Sequence, residues 1–328
     1  MPINIISRKY VVFDPPDAYA VLNPVEGIGI AYNASTSATT GARSAAATGS
    51  TGIGTSNNGS VSVSVPPAIS DPPTPAAIAG MSATPLLNYD WTGPTPTAGW
   101  TLVNGPDQPN NEKSVPRASN VTIETDDPTC SGGTYLRAAT RREAFGAYSF
   151  TGVQMENFGT HRFGAGQPFY VEVRLRWTGY EGCWPGPWLI FYDGISSTYD
   201  SEIDIMETPN TRQPWTTLHP YGWANAPGGG QVHVGAQYAS SNDGGWHRYG
   251  LRVDRTGVYR YFDNVHISSY LNATHASVFV DSQMGLKFQH HCGGNWPDDD
   301  LGLARGTTPR ANVAFPNYFD CDYFRIYR

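Results

Sequence analysis

The sequence predicts an all-β protein whose main domain is a sandwich of two antiparallel sheets. Gly (36) and Pro (26) are abundant and aromatic residues make up 12%, while charged residues are only 15% of the chain, a balance suited to short strands and turns. Strand-length apolar runs recur between Gly, Pro, Asn and Asp clusters. The 3.6-residue spacing of an amphipathic helix is hard to find anywhere, and no internal repeat is evident. At 328 residues and 39% hydrophobic content, the chain can bury a large sandwich core and still carry a smaller region.

Along the chain, residues 1–32 hold two short apolar runs, Lys9 to Phe13 and Gly27 to Tyr32, broken by Pro15, Pro16 and Pro24; they read as short strands or extended segments. Residues 33–60 are nearly all Ala, Ser, Thr, Gly and Asn, which bury too little apolar area to offset their ordering entropy alone. Val61 to Val65 alternates with period two, and a proline-rich stretch follows. These features divide the chain into an extended or β N-terminal region (1–65), a Pro-rich linker (66–88) and the sandwich (89–328). Residues 1–85 are either a disordered tail or an anchor that docks on a partner.

Within the sandwich the predicted strands include Val121 to Glu124, Phe169 to Arg176, Trp188 to Tyr192, His247 to Val253, Val258 to Phe262 and Tyr323 to Tyr327. A formal charge of -7 and the lack of a Lys/Arg run give no polycationic face for a phosphate backbone, so nucleic acid is excluded as the expected partner. No stretch of 18 apolar residues suggests a membrane span, and Met1 to Tyr10 lacks the h-region of a secretory signal. Four cysteines, Cys130, Cys183, Cys292 and Cys321, are too dispersed for a zinc knuckle; buried thiols or one or two structural bridges are expected.

The chemistry concentrates in Ser201-Glu202-Ile203-Asp204-Ile205-Met206-Glu207. In a regular strand Glu202 and Asp204 share a face and Glu207 points to the other one. A β-bulge near Ile205-Met206 absorbs one residue and returns Glu207 to the acidic face, leaving Ile203 and Ile205 turned into the core. The two glutamates are then about 13 Å apart at Cα, and inward-leaning side chains leave about 5–7 Å between carboxyls. Retaining glycosidases need about 5–5.5 Å and inverting ones more, so the spacing favours retention. Three acids on one face repel, which raises at least one pKa, as a general acid requires. A solvated acidic face or a cation site is the alternative reading of the acids alone.

These residues resemble the bulged signature of glycoside hydrolase family 16. Gly182 to Leu189 resembles the family's Trp-Pro-x-x-Trp strand, and Trp246 to Val265 its His/Trp-containing hairpin. Gly293-Gly294-Asn295-Trp296-Pro297 is similar to the loop of laminarinase-like members, and Cys321 to Tyr327 to the closing strand; together the five motifs cover about 240 residues in the family order. The resemblance implies a concanavalin A-like jelly roll, with Glu202 as nucleophile, Glu207 as general acid/base and Asp204 as assisting acid. It implies sugar contacts from Trp184, Trp188, His219, Asn295 and Trp296, chemistry without a cofactor, and a structural Ca²⁺ held by Asp322 and Asp90.

Three departures fall where the family lines its cleft edges: Gly186-Pro187 inside the Trp-Pro-x-x-Trp motif, Gly166-Gln167-Pro168 before the Phe169 strand, and Asp298-Asp299-Asp300 after Asn-Trp-Pro. They bear on subsites and linkage. The expected activity is therefore endo-type hydrolysis of a β-linked polysaccharide, best β-1,3-glucan, by an enzyme acting outside cells. Display on a virion through residues 1–85 reconciles that site of action with the lack of a signal. A carbohydrate-binding or structural virion protein without turnover is the competing reading.

Overall fold

The computed structural model describes residues 78, 80–157, 166–192, 201–211, 213–221, 232–238 and 243–328, together with three strands in the first 20 residues. The chain divides into two compact units, Met1–Pro72 and Pro73–Arg328. In the first, β1 (Ile5–Ser7), β2 (Tyr10–Val12) and β3 (Tyr19–Ala20) form an antiparallel sheet in that order. β2 falls within the Lys9 to Phe13 run; the Gly27 to Tyr32 and Val61 to Val65 runs lie outside the described residues.

The second unit begins with β4 (Leu87–Tyr89), β5 (Thr101–Leu102), β6 (Ser114–Pro116), β7 (Val121–Glu124), β8 (Tyr135–Thr140) and β9 (Phe150–Asn157). There follow β10 (Phe169–Trp177), β11 (Cys183–Tyr192), β12 (Ser201–Glu207), β13 (Trp215–His219) and β14 (Val234–Gln237). The chain closes with β15 (His247–Asp254), β16 (Gly257–Phe262), β17 (Val265–Tyr270), α1 (Ala273–Asp281), β18 (Gln283–Cys292), α2 (Asn295–Asp300) and β19 (Asn317–Tyr327).

Two sheets stack. One runs β17-β16-β15-β10-β19-β8-β7, with β4 also on β19; the other runs β14-β13-β12-β11-β18-β9-β5, with β6 parallel to β9. Their inner faces interdigitate as one core. Val171, Val173, Leu251, Phe324 and Ile326 come from the first sheet, and Leu189, Ile203, Ile205, Leu218, Leu286 and Phe288 from the second. Each such side chain, buried from water, contributes about 1.5–3 kcal/mol. Period two then fixes what the second sheet shows on its other side: with Ile203 and Ile205 inward, Glu202 and Asp204 must face outward.

Two findings depart from the sequence reading. α1 is a helix where none is legible: Asn272 caps it, its Oδ1 accepting from His275 N at 3.1 Å, and only Ala276, Phe279 and Val280 are buried. Nine residues with three inward positions carry too little period to detect, although the capping Asn was a readable signal. The end of the stretch read as linker also packs on the sandwich: Ile78 is buried against Tyr170 and Tyr327, and Ser82 N donates to Arg328 O at 2.6 Å. Among the described residues no helix is long and apolar enough to cross a membrane.

Candidate active site

The strand β12 carries the bulge that the acid spacing demands. Glu202 lies opposite His219 and Asp204 opposite Thr217, but Glu207 lies opposite Trp215, so three residues of β12 span two of β13. Ile205 and Met206 are both fully buried. The carbonyls near the bulge are claimed by neighbours, Ile205 O by the Tyr238 hydroxyl at 2.7 Å and Asp204 O by the Thr216 hydroxyl at 2.7 Å. A disrupted ladder would otherwise leave buried acceptors unpaired.

Register across the sheet assembles the rest. Trp188 of β11 lies beside Asp204, Lys287 of β18 beside Trp188, and Glu156 of β9 beside Lys287. The Lys287 ammonium sits 4.5 Å from the Trp188 ring centroid and 2.9 Å from a Glu156 oxygen. The indole N–H of Trp188 is buried without a hydrogen-bond partner among the described residues. In the neighbouring row His219 Nε2 is 3.0 Å from Asp204 Oδ2 and 3.8 Å from Glu202 Oε1. Its Nδ1 lies 2.5 Å from Nδ1 of His233, so Asp204, His219 and His233 form a continuous polar chain.

Glu207 is held from the other side. Trp184 donates its indole N–H to Glu207 Oε1 at 2.5 Å, and Trp296 packs edge-on against Trp184 at 5.9 Å and 79°. Trp184 is only 6% exposed. The open stacking face expected of it is therefore absent, and what it presents to the site is a donor to a carboxylate. Trp296 and Trp188 keep part of their surface accessible. Asn295 Oδ1 accepts from Asn111 Nδ2 at 2.9 Å, which anchors its side chain to the neighbouring loop.

Burial and mutual repulsion act on both glutamates in the same direction. Burial, then the charges of Asp204 and Glu207, holds the Glu202 carboxyl well above the usual carboxylate range. Burial and the Asp204 charge do the same for Glu207, opposed by the hydrogen bond from Trp184. One ligand atom each from Glu202, Asp204 and His219 lies within 4.8 Å of the others, so this is also where the described residues could hold a metal ion.

The Ca²⁺ pair read from the resemblance does not fit a cation. Asp322 Oδ2 meets Arg174 Nη1 at 2.5 Å and its Oδ1 accepts from Ser131 N at 2.6 Å, so a guanidinium already neutralises it. Asp90 is turned to Thr92 and Asn88 in a local turn. The acidic run after Trp296 is likewise structural. Asp298 is fully buried and accepts from Gly306 N and Thr308 N, Asp300 accepts from Asn210, and Asp299 pairs with Arg305. That segment is a short helix, not a loop, because a proline in a helix's first turn removes no needed hydrogen bond.

Compared with known proteins, no family sequence model matches the chain and no curated protein matches it. Solved structures do. The laminarinase catalytic domain from Thermotoga maritima MSB8, in complex with cetyltrimethylammonium bromide, superposes with a TM-score of 0.58 at 21% identity over 75% of this chain and 98% of that one. The endo-β-1,3-glucanase of Pyrococcus furiosus gives 0.59 at 19% identity over 74% and 93%. The GH16 protein of the Bacteroides ovatus mixed linkage glucan PUL, in complex with a G4G4G3G product, gives 0.56 at 21% over 74% and 99%. The chain has the fold of these proteins. Within that glucanase-like jelly roll, the two antiparallel layers of the sandwich stand as predicted.

Several residues of the site were not singled out from sequence: His233, Lys287, Glu156, Tyr238 and Asn210. Asn210 ties the exit of β12 to α2 and to Gly182, bonding Pro297 O at 3.0 Å and Gly182 N at 2.6 Å from a left-handed backbone at φ 56. Gly294 is equally constrained: with φ 131, a Cβ there would stand 2.8 Å from Trp184 Cζ3. Gly294→Ala is expected to cost about 1–3 kcal/mol in urea unfolding by pushing against the indole. An unchanged midpoint would show that the indole has room to move.

Proposed function

We propose that residues 89–328 are a retaining, endo-acting glycoside hydrolase of the family 16 kind, cutting a β-linked polysaccharide, with β-1,3-glucan as its substrate. The observation that carries this reading is the bulge, which turns Glu207 back to the face of Glu202 and Asp204. Glu202 attacks the anomeric carbon while Glu207 protonates the leaving oxygen; the resulting glycosyl ester is hydrolysed by a water that Glu207 then deprotonates. Asp204, held by His219, spaces the two glutamates and shares charge or a hydrogen bond with Glu202. Burial supports the acid role, since it keeps Glu207 protonated to higher pH than an exposed carboxyl.

Trp188 and Trp296 supply apolar faces on which pyranose rings stack. Trp184 acts through Glu207, and His219 and Asn295 act as positioning groups beside the sugar path. The Gly-Gly-Asn-Trp-Pro motif and the glucanases of the same fold support β-1,3-glucan. Residues 1–85 serve as the anchor that joins the enzyme to a particle such as a virion, placing its action outside the cell on a surface glycan.

The test is reducing-sugar release and product sizing on laminarin, mixed-linkage β-glucan, agarose and galactan, with and without EDTA. Release of oligosaccharides from laminarin that persists with EDTA is expected. No release from any of them, with glycan binding intact, would make the protein a carbohydrate-binding module of the same fold. Release that EDTA abolishes would turn the Glu202, Asp204 and His219 cluster into a metal site.

A further inference from the structure

Strands β11 and β18 pair with Cys183 directly opposite Cys292. The main-chain groups of both residues bond elsewhere. Cys183 N donates to Tyr180 O at 3.1 Å and its carbonyl accepts from Asn210 N at 2.9 Å. Cys292 N donates to Ser114 Oγ at 3.0 Å and its carbonyl accepts from Lys113 N at 2.8 Å. The two are thus a non-hydrogen-bonded antiparallel pair, in which Cα atoms lie about 4.5 Å apart and the side chains share a face, inside the range of about 4.4–6.8 Å that a cystine spans. Both side chains are turned away from the acidic face, 1% and 0% exposed, and both are free thiols.

We propose that Cys183 and Cys292 form a cross-strand disulfide when the chain folds in the presence of a small-molecule disulfide. Each event forms one S–S bond in the protein and reduces one molecule of the oxidant to two thiols, which carry off the two cysteine protons. The other two cysteines are not placed for this. Cys321 points between the sheets, whereas Cys130 lies among Asp322, Asp127 and Arg174 on the opposite side of β19.

The cross-link lies beneath the site. Cys183 precedes Trp184, and Cys292 precedes Gly293-Gly294, where Gly294 packs on the Trp184 ring. The bond ties the two strands at the contact that aims the indole at Glu207. Burial pushes both thiols up to about 12, so they are inert once folded and exchange occurs during folding. The cross-link forms whether or not the chain hydrolyses glucan.

The full chain, reduced and denatured, is refolded in mixed oxidised and reduced glutathione and in parallel with dithiothreitol, then alkylated and peptide-mapped. Expected is a Cys183–Cys292 linked peptide two hydrogens lighter than its thiol form, alkylation of Cys130 and Cys321 only, and a Tm higher by about 5–15 °C than the dithiothreitol sample. Four alkylated cysteines, or a cystine joining any other pair, overturns the proposal. If the chain does not refold, the same peptides are mapped on protein expressed in an oxidising compartment and purified without reductant. There too the Cys183–Cys292 peptide supports the cross-link, and free thiols at both positions or a different pairing overturn it.

Discussion

Replacing Glu202 by Gln is expected to lower kcat/KM on laminarin by about 10⁴-fold or more, because an amide cannot form the glycosyl ester. The same change is expected to raise Tm at neutral pH. In the folded protein the Glu202 pKa stands above its unfolded value, through burial first and then the charges of Asp204 and Glu207. Between those two values the folded state binds more protons than the unfolded one, so the stability associated with Glu202 is present at low pH and lost as pH rises through the folded pKa. Gln removes that loss. Calorimetry of both forms should therefore show a gap at pH 7 that closes toward pH 4. A variant that keeps activity within tenfold of the native chain would take the nucleophile role from Glu202. For Glu202→Gly with an activated aryl glycoside, added azide should restore turnover and yield the inverted glycosyl azide, the outcome that separates a missing nucleophile from a missing charge.

The pairing of lost activity with gained stability follows from how β12 is built, and much of that was legible. Ile203 and Ile205 demand one face, so Glu202 and Asp204 take the other; a Glu five residues on can join them only through a bulge, and the register shift lies between Asp204 and Glu207. Strand-length apolar runs between Gly, Pro, Asn and Asp clusters likewise announced the sandwich. What the sequence did not reveal reaches the site through pairing of distant strands. Lys287 and Glu156 meet beside Trp188 because β9, β18 and β11 are neighbours, and no local pattern in any one strand says so. His233 meets His219 for the same reason, across β13 and β14. The place of Trp184 in the Trp-Pro-x-x-Trp motif implies a sugar contact; that its N–H turns to Glu207 depends on the packing of Gly294 and Trp296 behind it.

That indole contact makes the acid/base testable separately from the nucleophile. Glu207→Gln is expected to lower kcat/KM on laminarin by about 10²–10⁴-fold, since a sugar leaving group needs its proton. On a dinitrophenyl glycoside, whose leaving group needs none, kcat/KM should stay within a few-fold while kcat falls and a burst appears, because hydrolysis of the ester still lacks its base. Equal losses on both substrates would mean that Glu207 has only a structural role. In the native chain the alkaline limb of kcat/KM should track deprotonation of Glu207, held high by burial and by Asp204 and pulled back by the Trp184 donor. Trp184→Phe deletes a hydrogen bond that favours the carboxylate form, so the alkaline limb should move to higher pH even as the rate at the optimum declines. Loss of packing alone would lower the rate at every pH and leave the limb where it stands.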